Sequence, residues 1–155
     1  MILLDDVYQH RSVEVSLSIL LSTYKNPFYD DFLMPTGRLR EGRKGASRAD
    51  IICFTKVPAD ISYQEQDQMI AKVRKYHSNA PIFFTSINYA PLVSFGIEDV
   101  KQKVVGLSGI ADNQAFKSHL ESNFDIIKFY GFADHHDYKI SEIDKIIEIL
   151  AYHDA

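Results

Sequence analysis

Six short apolar runs recur along the chain with helical patterns between them, and this alternation limits the possible fold more than any other feature. The runs occupy residues 2–4, 17–22, 51–55, 82–85, 104–108 and 126–130. Several are continuous, as in Ile51-Ile52-Cys53-Phe54. A continuous run suits a strand covered on both faces, which is the usual condition in parallel sheets. Three helical stripes lie among the runs. Ser62-x-x-Glu65 has capping-box spacing ahead of Met69, Ile70, Val73 and Tyr76. Asp112 or Asn113 can cap a helix carrying Ala115, Phe116, His119 and Leu120, and Ser141 can cap one carrying Ile143, Ile146, Ile147 and Leu150. The expected fold is α/β, mainly a parallel sheet layered with helices.

The pattern fails twice. Residues 25–47 hold Pro27, Pro35, Gly37, Gly42 and Gly45 and read as a long loop, which in a compact domain is usually functional or disordered. The second break, at Asn88-Tyr89-Ala90-Pro91 with Gly96 following, suggests a junction between a unit of residues 1–88 and a smaller α/β lobe of residues 89–155.

Composition excludes several classes. A net charge of -4 argues against nonspecific nucleic-acid binding by the chain as a whole. The single cysteine, Cys53, rules out an intrachain disulfide and a thiolate zinc site, and a buried reduced thiol there fits a cytosolic compartment. No apolar stretch has the length of a bilayer span, so a membrane anchor, if the natural protein has one, lies outside these residues.

Four clusters can carry chemistry. Asp5-Asp6 follows the first apolar run, and carboxylates at the end of a strand suit Mg²⁺, which needs one or two of them beside phosphate oxygens and water. A solvated turn is the bland alternative. Gln9, His10 and Arg11 come next and can offer donors to an anion, or lie exposed. The stretch Leu33-Met34-Pro35-Thr36-Gly37-Arg38-Leu39-Arg40-Glu41-Gly42 combines turn residues with arginines suited to phosphate. Five cations between Arg38 and Arg48 face one acid, Glu41, and with Leu33, Met34 and Leu39 interleaved the loop can also rest on an anionic membrane. Asp134-His135-His136-Asp137 follows the last apolar run and suits either a metal or a carboxylate-positioned histidine, although no third zinc ligand has a recognisable spacing. Thr55-Lys56 and Ser108-Gly109-Ile110-Ala111 also close runs and can line the same edge as the acid pair.

Taken in order, these segments resemble the tetraacyldisaccharide 4′-kinases, the lipid A 4′-kinases of Gram-negative bacteria. The stretches that carry the resemblance are Ile2-Leu3-Leu4-Asp5-Asp6-Val7-Tyr8-Gln9-His10-Arg11, Leu33 to Glu41, Arg48-Ala49-Asp50 through Lys56, Gly106 to Ala111, and Phe132-Ala133-Asp134-His135-His136-Asp137-Tyr138. The resemblance implies part of a P-loop-kinase-like fold and transfer of the γ-phosphate of ATP, with Mg²⁺, to the 4′-hydroxyl of a tetraacyl glucosamine disaccharide 1-phosphate. It places the work at the cytoplasmic face of the inner membrane, with no nucleic acid among the partners. It implies Asp5 and Asp6 as the Mg²⁺ and phosphate carboxylates, with Asp6 also catalytic, and His135 as support for a catalytic base. Gln9, His10, Arg38 and Arg40 are implied on the substrate side, and Thr55 and Lys56 beside the nucleotide.

Two departures matter. Val7 stands where the family often has Gly. The sequence also contains no Gly-x-x-x-x-Gly-Lys-Ser/Thr, the loop whose N–H groups and Lys grip phosphates, so the expectation is a truncated chain with negligible kinase activity alone. Two other readings stay open: a non-catalytic binding module on the same scaffold, and a metal-dependent hydrolase using Asp5, Asp6, His135 and His136.

Overall fold

A computed structural model describes residues 1–91, 93 and 101–153; the junction position Gly96 lies outside the described residues. The backbone divides into two compact units, Met1–Asn88 and Tyr89–Ala155.

In the first unit, strands β1 (Ile19–Thr23), β2 (Ile51–Thr55) and β3 (Ile82–Phe84) form a parallel sheet in that order. Ile19 pairs with Ile51, and Ile52 with Ile82. Helix α1 (Tyr63–Val73) starts where its sequence asks: Ser62 Oγ accepts the Glu65 N–H at 3.2 Å. The reciprocal half of the capping box is absent, because the Glu65 carboxylate instead accepts from the Tyr24 hydroxyl. Met69 and Val73, four residues apart on α1, share its buried face.

The core lies on one side of the sheet. Ile52, Phe54 and Val73 are fully buried, with Phe28, Tyr29, Ala46, Ala49, Val57, Met69 and Ala80 around them. Phe54 stacks on Phe84 at 5.5 Å and meets the edge of Tyr29 at 6.0 Å. Helix α1 and the long loop both pack on this face. Ile19, Leu21 and Phe83 point the other way and stay exposed, so among the described residues the sheet is covered on one face rather than both.

The largest departure from expectation is at the start. Residues 2–4 form no strand, and their side chains are exposed. A strand needs a partner for its N–H and C=O groups, and among the described residues this run pairs with nothing. Asp5 and Asp6 therefore follow an irregular segment, not a strand end. The β1 ladder likewise begins at Ile19 rather than 17, because the Ser18 N–H is taken by the Asp50 carboxylate at 2.8 Å.

The second unit holds strands β4 (Lys103–Ser108) and β5 (Asp125–Gly131), paired in parallel, with helices α2 (Gln114–Asn123) and α3 (Ile140–His153). Gly106 lets Phe129 and Leu120 close over β4, since a Cβ there would lie 2.5 Å from the Phe129 ring. Asp112 accepts the Gln114 N–H at 3.2 Å, while the Asn113 amide turns away to donate to the Phe132 carbonyl. Helix α3 begins one residue before Ser141, which does not cap it. The Glu142 carboxylate reaches back to the Lys139 N–H at 2.9 Å instead. Among the described residues no helix is long and apolar enough to cross a membrane.

Candidate functional site

The acid pair and the basic loop, about 35 residues apart in sequence, meet in the first unit. Arg40 Nη1 donates to Asp6 Oδ2 at 2.7 Å, with both side chains more than half exposed. The Asp5 carboxylate accepts the Asp6 N–H at 2.9 Å, and Gln9 Nε2 donates to the Asp6 carbonyl at 2.9 Å. Asp6 sits at φ 53, in the left-handed region. His10 is exposed and contributes its backbone N–H to a turn on Val7 O.

Arg48 secures this segment from the other side. Its two terminal nitrogens fork onto the Glu41 carboxylate at 2.6 and 3.0 Å, and Nη2 also reaches the Tyr8 carbonyl at 3.0 Å. Its guanidinium lies 5.0 Å from the Tyr8 ring centre, and the Tyr8 hydroxyl donates to Gly45 O at 2.8 Å. Arg11 adds a long contact to Glu41 at 3.5 Å. The hydrogen bond from Arg48 lowers the Glu41 pKa below its ordinary value, with Arg11 adding to the effect against a smaller opposing desolvation. Burial raises that of Tyr8, and the Arg48 charge opposes the rise.

The loop doubles back as a pinned, hairpin-shaped turn, with Leu33 bridged to Leu39 in the parallel sense. Leu39 N–H donates to Phe32 O at 2.9 Å, Met34 N–H to Leu39 O at 3.0 Å and Gly37 N–H to Leu33 O at 3.0 Å. Asp31 Oδ1 accepts the N–H groups of Phe32 and Arg38. Gly37 is required here, because a Cβ would fall on the Phe32 carbonyl and the Asp31 carboxylate. Arg43 turns inward, its Nε on Asp31 O at 2.8 Å and its guanidinium 4.8 Å from the Phe32 ring centre. A cleft of about 420 Å³ lies between Asp31, Phe32, Leu33, Thr36, Leu39 and Arg43.

Thr55 and Lys56 have no polar contact with this cluster among the described residues. Tyr8 docks on the turn that feeds the amino end of β2, whereas Thr55 and Lys56 close its carboxyl end. Among the described residues no hydrogen bond or ion pair links Asp5 or Asp6 to either of them. Lys56 is exposed and sits at φ 57.

In the second unit the two histidines divide their roles. His136 stacks on Phe132 at 4.3 Å, meets the Tyr138 ring at 5.1 Å and holds Glu142 Oε2 at 3.0 Å. The Lys139 N–H and then His136 lower the Glu142 pKa. His136 is thus a fastener between the loop and α3. His135 sits at φ 54 with its side chain 95% exposed, its ionic neighbour among the described residues being Asp134 at 3.9 Å. Asp6, Lys56 and His135 are the positive-φ non-glycine residues of the described chain.

Two adjacent exposed carboxylates are a hard-oxygen donor set that fits Mg²⁺, which keeps most of its waters. Among the described residues no three His, Cys, Asp or Glu side chains converge as a transition-metal centre requires. Sequence reasoning missed Tyr8, Arg48 and Glu142 as organisers. One signal was available: a lone acid among five cations is bound to be paired.

The family model described as Tetraacyldisaccharide-1-P 4'-kinase matches residues 1–153. The chain belongs to this family. A tetraacyldisaccharide 4'-kinase of Flavobacterium psychrophilum is 39% identical over 155 residues, covering 95% of this chain and 44% of the relative. That of Cytophaga hutchinsonii is 36% identical, covering 96% and 42%, and that of Bacteroides fragilis is 33% identical, covering 95% and 42%. The chain therefore spans less than half the length of these 4'-kinase relatives. No solved structure matches it.

Proposed function

We propose that the chain serves ATP-dependent phosphoryl transfer to the 4′-hydroxyl of a tetraacyl glucosamine disaccharide 1-phosphate, at the cytoplasmic face of the bacterial inner membrane. Beyond family membership, one observation carries this reading. The positive-φ non-glycine residues of the described chain, Asp6, Lys56 and His135, were all singled out from the sequence as site residues. The left-handed region costs a side-chain-bearing residue about 1 kcal/mol or more, and such residues gather at functional sites.

In this reading Asp5 and Asp6 hold Mg²⁺, which supplies charge neutralisation on the transferring phosphate. Arg40, beside Asp6, would with Arg38, Gln9 and His10 offer donors to the substrate's anionic and hydroxyl groups. Thr55 and Lys56 close the carboxyl end of β2, the edge on which open α/β sheets take up ligands, and contact the nucleotide phosphates. His135 supports the base that removes the proton of the attacking hydroxyl.

A second reading is a binding module without catalysis on the same scaffold. A chimera separates the two. The matching stretch of the Flavobacterium psychrophilum relative is replaced by this chain and assayed for ATP-dependent 4′-phosphorylation. The kinase reading expects an active chimera and negligible transfer by the 155-residue chain alone. A folded but inactive chimera favours the module, and a measurable rate from the chain alone refutes the assignment of phosphate gripping to the absent loop.

A further inference from the structure

We propose that the hairpin of residues 31–39 is a wedge for an anionic bilayer surface, with Phe32, Leu33, Met34 and Pro35 entering the interfacial layer and Arg38 and Lys44 meeting the lipid phosphates. The inference rests on the membrane-surface part of the proposed function and names the residues that would make the contact.

Three observations support it. The tip exposes four consecutive apolar residues, with Phe32 61%, Leu33 50% and Met34 64% accessible and Pro35 exposed as well. A soluble surface does not ordinarily carry such a run unless it is used. Most backbone donors of the tip are also satisfied, the N–H groups of Leu33 and Thr36 excepted. The N–H groups of Phe32, Met34, Gly37, Arg38 and Leu39 all donate within the hairpin, and Pro35 has none to satisfy. Backbone donors with partners can leave water at little cost, whereas open ones cannot. The third observation is charge. Arg38 has a 69% exposed side chain and only a long 3.6 Å contact to Asp31, and Lys44, farther along the same basic stretch, is exposed. Cations flanking an apolar tip are attracted to anionic headgroups.

The exposed face of the three-stranded sheet is a contrasting case. Ile19, Leu21 and Phe83 are as accessible as the hairpin tip, but β1, β2 and β3 contain no Lys or Arg to meet a headgroup. Charge therefore favours the hairpin over the sheet face for lipid.

The test uses the 155-residue chain with phosphatidylcholine vesicles, with and without phosphatidylglycerol. The wild-type chain is expected to co-sediment with the phosphatidylglycerol vesicles and to lose binding as salt is added. The Phe32→Ser/Met34→Ser variant is expected to bind about tenfold more weakly while staying folded, its unfolding midpoint lowered only slightly by loss of the Arg43 contact on the Phe32 ring, because both side chains are more than half exposed. Since the chain contains no Trp, Phe32→Trp gives a unique reporter whose emission shifts to the blue on these vesicles. Failure of the wild-type chain to bind refutes the membrane-surface reading together with the wedge. Equal binding by the double variant, or an unmoved Trp emission, overturns the wedge and leaves the membrane-surface reading intact. A blue shift without vesicles that grows with protein concentration assigns the tip to a second copy of the chain and also overturns it.

Discussion

Residues 5–11 and residues 132–138 look alike as sequence, each a polar cluster after an apolar run, yet the two are held in opposite ways. The later cluster does leave a strand, β5, and is fastened locally: His136 reaches Glu142 six residues on. The earlier one follows no strand and is held by side chains 34 to 40 positions away, with Arg40 on Asp6, Arg48 on Tyr8 and the Tyr8 hydroxyl on Gly45. A local fastener survives any change that spares its own loop. A long-range one depends on the basic hairpin keeping its shape, so damage to that hairpin should release the acid pair and leave the histidine loop untouched.

The strongest way to break the comparison is Gly37→Ala. Its Cβ meets backbone and the Asp31 carboxylate, neither of which can retreat without opening the Leu33–Leu39 bridge. A loss of up to about 3 kcal/mol is expected in denaturant unfolding, and hydrogen exchange should quicken in residues 31–39 and 5–11. Unchanged exchange at residues 5–11 would show that the acid pair does not depend on the hairpin.

Next in size is Arg48→Ala, which removes the fork to Glu41, the bond to Tyr8 O and the cover on the Tyr8 ring together. With the side chain about one-third exposed, solvent screening holds the expected loss to about 1 kcal/mol. Arg48→Lys should recover little of it, since an ammonium cannot fork onto a carboxylate. Full recovery by Lys would make the contact a simple charge effect.

Acid treats the two regions alike and so sharpens the contrast from the other side. Glu41 and Glu142 both have folded-state pKa values below the ordinary 4.5. Each therefore contributes stability that is complete above that value and is lost as pH falls through the lower folded value. Glu41→Gln should flatten the acid loss of the first cluster, and Glu142→Gln that of the second. The check is hydrogen exchange of each segment across the acid range. An unchanged pH slope in either variant would rule out its carboxylate as the titrating group.

Most of the scaffold was legible from the residues. Continuous apolar runs located β2 to β5 within a residue or two, because each is long enough and has a sheet neighbour. The run at 2–4 has the same composition and forms no strand, because a strand is defined by its partner and composition cannot supply one. The caps show the same limit. Ser62 was readable because the Ser-x-x-Glu spacing is local, and Ser141 failed because the helix starts at Ile140, which places Ser141 inside its first turn. The site was legible as a set of residue types but not as contacts. Nothing in the order of residues says that Arg40 meets Asp6, or that of two adjacent histidines the second is structural and the first projects.

The smallest expected stability effect bears most directly on the central claim, that backbone strain at Asp6, Lys56 and His135 marks working residues. His135→Gly relieves a left-handed backbone and loses a side chain with almost no contacts, so the 155-residue chain should be unchanged or more stable by no more than about 1 kcal/mol. The same substitution in the Flavobacterium psychrophilum chimera is expected to lower kcat for 4′-phosphoryl transfer on the order of 100-fold. Equal or higher stability with a collapsed kcat is the predicted result. A chimera that keeps its kcat with Gly at this position would contradict the account.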